Sequence, residues 1–259
     1  MTERIETHEI APGGLVALAI PAGDIRCKEG PEGTVVIAMS GNADALDALD
    51  VDASPEAVAV RSTAAKRRRW VRGGSIDTVV TMPRNLDLTI DLGAGDIAVM
   101  GVAVRDIEVQ LGSGDVRVDD VSGTTEIRVG AGDVRLGGLS GLAKVASAAG
   151  DVRVDAMSEI TVSTAAGDVY LGDVSEAARI KSATGDIRVR RFAGSDLEIK
   201  TMSGDVGIGL VSGMVVKAAV KTLSGDFRNR IEPTPGPRVG SMNLTVNSFS
   251  GDVTLRTAK

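Results

Sequence analysis

The chain has 259 residues, a formal net charge of −6 and 43% hydrophobic residues, yet only 2% of it is aromatic. There is ample apolar material for a core, but that core is aliphatic, and the acidic balance argues against nucleic-acid binding through a broad basic surface. One cysteine, Cys27, excludes an intrachain disulfide, no apolar run approaches the ~20 residues of a membrane helix, and the polar start Met1–Glu6 has no signal-peptide pattern; the sequence reads as cytoplasmic, with membrane contact only peripheral.

In chain order, Ile5–Ile10 reads as a first strand, ended by Pro12-Gly13-Gly14. Val16, Leu18, Ile20 and Ala22 then alternate up to Gly23-Asp24, and Thr34–Met39 reads as another strand. Asn42–Asp50 breaks the alternation and fits either a helical turn or two capped by Asn42, or an exposed loop. Ala57–Arg61 and Ile76–Met82 read as a strand pair joined by a basic hairpin loop, Lys66, Arg67, Arg68, Arg69, Trp70 and Arg72, which also carries the only tryptophan.

From Leu86 onward the chain repeats. Gly-Asp recurs at Asp96, Asp115, Asp133, Asp151, Asp168, Asp186 and Asp205, a period of about 18 residues, with wider-spaced copies at Asp24, Asp226 and Asp252. One and three residues after the aspartate stand apolar pairs such as Val116 and Val118, Val152 and Val154, Ile187 and Val189. Between them is often an arginine: Arg26, Arg117, Arg135, Arg153, Arg188, Arg228. Eight, six and four residues upstream the alternation recurs, as in Leu88, Ile90, Leu92 or Ile107, Val109, Leu111. Period-two alternation places these apolar sets on one face of a strand. Each repeat is therefore two short strands, joined at Gly-Asp and again at a corner such as Ser122-Gly123 or Ser140-Gly141.

These features predict an all-β fold, a single-stranded parallel β-solenoid or β-helix, with right-handed winding preferred because parallel crossovers are overwhelmingly of that hand. About nine or ten coils, each rising roughly 4.8 Å, would make a rod on the order of 45 Å long. The expected organisation is one elongated domain over 1–259, irregular over 1–85 and regular over 86–259, with a proline-rich insertion near 229–241. The final coil, Met242–Thr257, keeps Val253 and Leu255 in register. Either the Pro233–Pro237 excursion folds over that end, or the C-terminal coil pairs with a second copy as a homodimer.

The aspartate row is the most conspicuous feature. Carboxylates stacked about 5 Å apart repel by ~1 kcal/mol per pair even in a water-like dielectric. Calcium could offset this, but the Gly-Gly-x-Gly-x-Asp calcium repeat has a second glycine and a nine-residue period that are lacking here. Corner amides and the arginines two residues on supply a compensation built into the repeat. The expectation is a structural role for Asp24, Asp96, Asp115, Asp133, Asp151, Asp168, Asp186, Asp205, Asp226 and Asp252, with no metal, no cofactor and no catalytic residue. His8 has no nucleophile beside it in sequence, and Cys27, three after Asp24, is read as a buried core thiol. A polysaccharide-active β-helix enzyme is the alternative, poorly supplied with aromatic platforms by Trp70, Tyr170, Phe192, Phe227 and Phe249. A sensor of anionic ligands or membrane surfaces through Lys66–Arg72 is the other.

The recurrent x-Gly-Asp-Val-x-Val copies, the strand run before each, and Met82-Pro83 ahead of the regular coils resemble the bacterial putative-adhesin family. This is a Toastrack-like β-strand-repeat domain of unknown function, related to the C-terminal region of the envelope-stress protein LiaF. The resemblance implies a non-enzymatic structural or protein-interaction module linked to envelope-stress systems, and brings no catalytic residues with it.

Overall fold

The computed structural model describes residues 2–62, 74–231 and 240–258. The regular elements of the described chain are strands except for one helical turn, and they fall into two compact units, 1–132 and 133–259. Both are stacks of parallel coils, so the fold is an all-β parallel β-solenoid.

In the first unit the strands are β1 (Thr2–Glu9), β2 (Leu15–Ala22), β3 (Ile25–Glu29), β4 (Thr34–Gly41), β5 (Leu49–Ala53), β6 (Ala57–Ser62), β7 (Ile76–Met82), β8 (Asp87–Ala94), β9 (Ile97–Val99), β10 (Ile107–Ser113), β11 (Val116–Val121) and β12 (Thr125–Ala131). β8, β10 and β12 stack in parallel, with Leu88 on Ile107 and Ile107 on Thr125, while β11 stacks on β9. The alternation does what the period dictates: Ile90, Val109 and Ile127 are all fully buried, one above another.

β2 and β3 form the coil around Asp24, and they do not begin the stack. β2 lies between β6 and β8, and β3 between β7 and β9, all parallel. β6 and β7 pair with β2 and β3 and not with each other, so the expected basic hairpin is replaced by a further coil. Its corner carries an insertion, and the loop Lys66–Arg72 lies outside the described residues. Asp77 stands at the place of the corner aspartate, its carboxylate accepting the Asp24 amide at 3.2 Å. Beyond this coil the sheet turns antiparallel: β4 pairs with β7, β1 with β4, and β5 with β6. The segment after β4 is a single turn of helix α1 (Ala43–Leu46), whose Asn42 side chain accepts the Ala45 amide at 2.7 Å. It then runs into β5, which the sequence did not predict.

The second unit contains β13 (Val134–Ala149), β14 (Val152–Ala166), β15 (Val169–Thr184), β16 (Ile187–Phe192), β17 (Asp196–Ser203), β18 (Val206–Leu210), β19 (Met214–Ser224), β20 (Phe227–Arg230), β21 (Gly240–Ser250) and β22 (Val253–Thr257). At Ser140-Gly141 the predicted second corner is a register shift inside the continuous strand β13, between Leu139 and Leu142. β14 stacks on β13 and β15 on β14; β16 and β17 both continue from β15. The coil order then departs from chain order. β21 pairs with β17 on one side and β19 on the other, and β22 lies between β18 and β20. The coil around Asp252 is therefore interior, with Val253 and Leu255 buried, and the coil around Asp226 flanks it. This corrects the expectation that Val253 and Leu255 sit on the free end of the stack. The inward positions of the flanking coil are open instead: Ala218 is exposed and Val220 half-buried, and Phe227 is 46% exposed.

The core is aliphatic, as composition required. Val152, Val154, Leu171, Ile187, Val189 and Ile208 are each 0% exposed, and Phe192 is the largest fully buried side chain. Burying one such side chain contributes about 1.5–3 kcal/mol.

Candidate functional site

Two side-chain arrays on the coils are candidates: the corner ladder and an outward face of the second unit.

At each corner the glycine has a positive φ, and the coil beneath closes over it. Gly114 has φ +129°, and a Cβ there would fall 2.0 Å from the Gly95 carbonyl oxygen. The aspartate that follows links the coils. Its Oδ1 accepts the backbone amide of the aspartate one coil on: Asp115 donates to Asp96 at 2.9 Å, Asp151 to Asp133 at 3.0 Å, Asp168 to Asp151 at 2.8 Å, Asp186 to Asp168 at 2.8 Å and Asp205 to Asp186 at 3.0 Å. Where spatial and chain order differ, the ladder follows space. Asp96 donates to Asp24 across 72 residues at 3.1 Å, Asp252 to Asp205 at 2.8 Å, and Asp226 to Asp252 at 2.9 Å. The second oxygen meets the arginine two residues on, at 3.0 Å for Asp24–Arg26, 2.9 Å for Asp133–Arg135, and 3.1 Å for both Asp186–Arg188 and Asp226–Arg228. Arg228 also reaches Asp252 at 2.9 Å.

The arginine row is interrupted at Ala98, Tyr170, Gly207 and Thr254. Tyr170 takes the arginine position after Asp168, and Arg153 from the neighbouring coil stacks over its ring at 4.4 Å while reaching Asp155 at 3.4 Å. A cleft of about 300 Å³ opens there, lined by the corner residues from Asp133 to Arg188. Its carboxylates are those of the ladder.

Several other ionisable side chains form local pairs. Arg84 makes a two-pronged pair with Glu29, at 2.8 Å on each prong, and Arg105 a two-pronged pair with Asp87. The Arg84 hydrogen bond holds the Glu29 carboxyl below its ordinary range, and the Lys200 hydrogen bond does the same to Glu198. Each partner also raises its arginine, Glu29 for Arg84 and Asp87 for Arg105. Cys27 is buried in β3, where loss of solvent pushes its thiol up to about 12. His8 Nε2 stands 3.5 Å from Glu6. Among the described residues no group of three or more His, Cys, Asp or Glu side chains is placed to hold a metal ion, and no helix is long and apolar enough to cross a membrane.

The second array was missed in the sequence. On the strands leading into the corners of the second unit, the outward position three before the aspartate carries Met202, Phe249 and Leu223 on adjacent coils, 64%, 62% and 74% exposed. Two residues earlier, on the same outward face, stand Lys181, Lys200, Asn247 and Lys221. The two rows border a shallow depression of about 680 Å³. On these coils the inward position four before the aspartate is polar. Thr164, Ser182 and Thr201 are nearly buried and donate to the carbonyl two residues on, at 3.3–3.4 Å. A signal was present in the sequence, because the third residue before each aspartate changes character along the repeats, but only spatial order places Phe249 between Met202 and Leu223.

The fold and these arrays define a repeat-built β-solenoid whose regularity extends to its charged side chains. The Toastrack DUF4097 family profile matches residues 71–171 and 147–259, and the chain belongs to that family. No curated protein matches it in sequence. Among solved structures it is similar to a putative adhesin from Parabacteroides distasonis, at 10% identity and a TM-score of 0.43, covering 99% of this chain and 97% of that one. It is also similar to a putative adhesin from Parabacteroides merdae, at 13% identity and a TM-score of 0.39, covering 99% and 96%. A putative adhesin from Bacteroides fragilis gives 12% identity and a TM-score of 0.38, covering 98% and 97%.

Proposed function

We propose that the chain is a non-enzymatic structural and interaction module of adhesin-like type, working beside envelope-stress components as the family resemblance implies. The observation that carries the non-enzymatic part is the corner ladder. Carboxylates along it accept the next coil's amide, and at Asp24, Asp133, Asp186 and Asp226 the arginine two residues on pairs with the second oxygen. A glycosidase needs two carboxyls of separated character flanking a substrate groove. Here the conspicuous carboxylates are equivalent copies in tight corners, and what varies between coils is the outward surface. A repeat scaffold with a varied outer face is suited to presenting that face to a partner.

Two measurements test this reading. Purified protein incubated with a panel of acidic and neutral polysaccharides is expected to release no reducing ends; release that disappears in Asp168→Asn would establish an enzyme and overturn it. Proximity labelling in the native host is expected to enrich a reproducible set of envelope components, and labelling no different from a free-label control would also count against it.

A further inference from the structure

Coils of the second unit meet at their corners through three recurring groups. The glycine amide donates to the carbonyl two residues before the next aspartate, as Gly185 does to Ser203 at 3.2 Å and Gly251 to Ser224 at 2.9 Å. The amide after the aspartate donates to the next aspartate's own carbonyl, Ile187 to Asp205 and Val253 to Asp226, both at 2.9 Å. The aspartate Oδ1 accepts the next aspartate's amide, as Asp252 does from Asp226 at 2.9 Å. On the coil around Asp226 the same groups are the Gly225 amide, the Phe227 amide and Asp226 Oδ1. None of the three has a partner among the described residues. Its strands β19 and β20 are each paired on one side only among those residues, with β21 and β22. The corner chemistry of the solenoid is therefore set out once more on this coil, facing outward.

Free sheet edges are ordinarily guarded by cover or by charges on the core side. The edge strand β1 of the first unit is guarded in that way. Arg4, Glu6 and His8 lie beside the buried Met39, Ile37 and Val35 of β4, and Arg4 donates to the Leu49 carbonyl at 3.1 Å. The coil around Asp226 has no such guard. Its inward side chains include Ala218, Val220 and Phe227, all at least partly open to solvent. Its cations face outward. Lys217, Lys221 and Arg230 are exposed and have no acidic partner among the described residues, while Arg228 is shared by Asp226 and Asp252.

We infer that this open coil receives an extended, acidic segment of a partner protein, which adds one further coil by strand addition. The segment has aliphatic residues at alternate positions, acidic residues between them and a Gly-Asp corner. Its aspartate amide meets Asp226 Oδ1, and its carbonyls meet the Gly225 and Phe227 amides. Backbone hydrogen bonds of this kind supply affinity, and the alternating side chains supply specificity. The glycine is required because the corners are closed: a Cβ at Gly225 would already lie 2.2 Å from the Gly251 carbonyl oxygen. The acidic residues are required by the cations they oppose, since like charges directly across a strand pair are destabilising. That charge excludes a two-fold pairing of this coil with its own copy. A head-to-tail copy is excluded by the corner at Ile76-Asp77, which has a side chain where glycine is needed and whose strand β7 is already paired with β3 and β4. This inference rests on the interaction-module reading and gives it an edge and a class of partner.

The probe is the labelled peptide Glu-Ile-Thr-Val-Glu-Thr-Ala-Ser-Gly-Asp-Val-Glu-Val-Glu, whose glycine falls over Gly225 and whose first two glutamates fall over Lys217 and Lys221. Fluorescence anisotropy with the full chain is expected to show saturable binding, weakened at least about tenfold when alanine replaces the peptide glycine. Lys217→Glu/Lys221→Glu is expected to weaken binding by a similar factor, and a peptide with lysine for those two glutamates to regain it. Both positions are exposed, and an unchanged melting curve would show that the variant folds. Hydrogen exchange on the free chain is expected to find the Gly225 and Phe227 amides open while those of Gly251 and Val253 are protected, and the peptide to slow the first pair. No binding, equal binding of the alanine peptide, or indifference to the charge exchange would overturn the inference. So would Gly225 and Phe227 amides already protected in the free chain. Protection lost on dilution would assign the edge to a second copy, and protection that persists would assign it to this chain's own cover. None of these failures touches the polysaccharide and labelling results, on which the broader reading stands.

Discussion

The residue three before each corner aspartate separates the two units. In the first it is Pro21, Gly93, Gly112 and Gly130, and in the second Ala148, Ala165, Ala183, Met202, Phe249 and Leu223 in spatial order. The reason for glycine is steric. A Cβ at Gly112 would lie 2.3 Å from the Gly93 carbonyl oxygen, and one at Gly130 would lie 2.4 Å from that of Gly112. The inward neighbour changes with it, from Leu92, Leu111 and Val129 to Ser147, Thr164, Ser182 and Thr201. Close to its corners the first unit keeps apolar groups inside and its outer margin bare. The second moves polar groups inside and apolar ones out. One repeat thus supports two kinds of margin, because the deeper rows of valine and isoleucine are common to both and hold the coils together.

The largest expected effect breaks those shared rows. Val152→Asp places an unpaired charge among fully buried aliphatic layers and is expected to cost on the order of 4 kcal/mol or more, unfolding the protein. Val220→Asp, on the open flanking coil, is expected to cost under ~1.5 kcal/mol. Equal losses in thermal melts would mean that the flanking coil is covered as deeply as the interior.

The next effect tests the margin itself. Gly112→Met is expected to lose about 3 kcal/mol or more, since backbone must move to admit the side chain. The reverse exchange in the other unit, Met202→Gly, is expected to stay within ~1 kcal/mol. Chemical denaturation of both variants decides it, and a tolerated Gly112→Met would dissolve the steric distinction between the units.

A third prediction uses pH. The Cys27 thiol is raised from 9.0 to about 12 by burial. The unfolded chain therefore loses this proton first as pH rises. The stabilising contribution is complete below pH 9.0 and declines between there and about 12. A thiol reagent at pH 8 is expected to label Cys27 only after denaturant is added, and rapid native labelling would show that the first unit opens around β3. The smallest effect belongs to Arg153→Ser. The side chain is 55% exposed, and losing its contacts with Asp155 and Tyr170 is expected to cost under ~1 kcal/mol in the same melts.

Strand alternation and the Gly-Asp period made the solenoid, its inward rows and the corner chemistry legible, because each follows from local spacing. The stacking order was not legible. Asp24 sits directly on Asp96, and the Asp252 coil enters between those of Asp205 and Asp226. Nothing in the repeat distinguishes a coil that stacks on its chain neighbour from one that stacks elsewhere, since all copies present the same interface. Asp77 went unrecognised because the preceding glycine is absent and Ile76 stands in its place, although Val80, three residues on, keeps the register and is fully buried. The apolar row of the second unit stayed hidden for the same reason. Phe249 is far from Met202 and Leu223 in sequence order, and only the interleaved coil brings the three into line.

That interleaving also sets a timetable. β19 and β20 leave the ribosome before β21 and β22, yet these are the strands they pair with, and β21 and β22 dock on β17 and β18 as well. The nascent Met214–Arg230 segment therefore waits beside an exposed template, β17 and β18, whose inward pattern it could also satisfy. A coil laid down there first would have to leave before the native neighbour could enter.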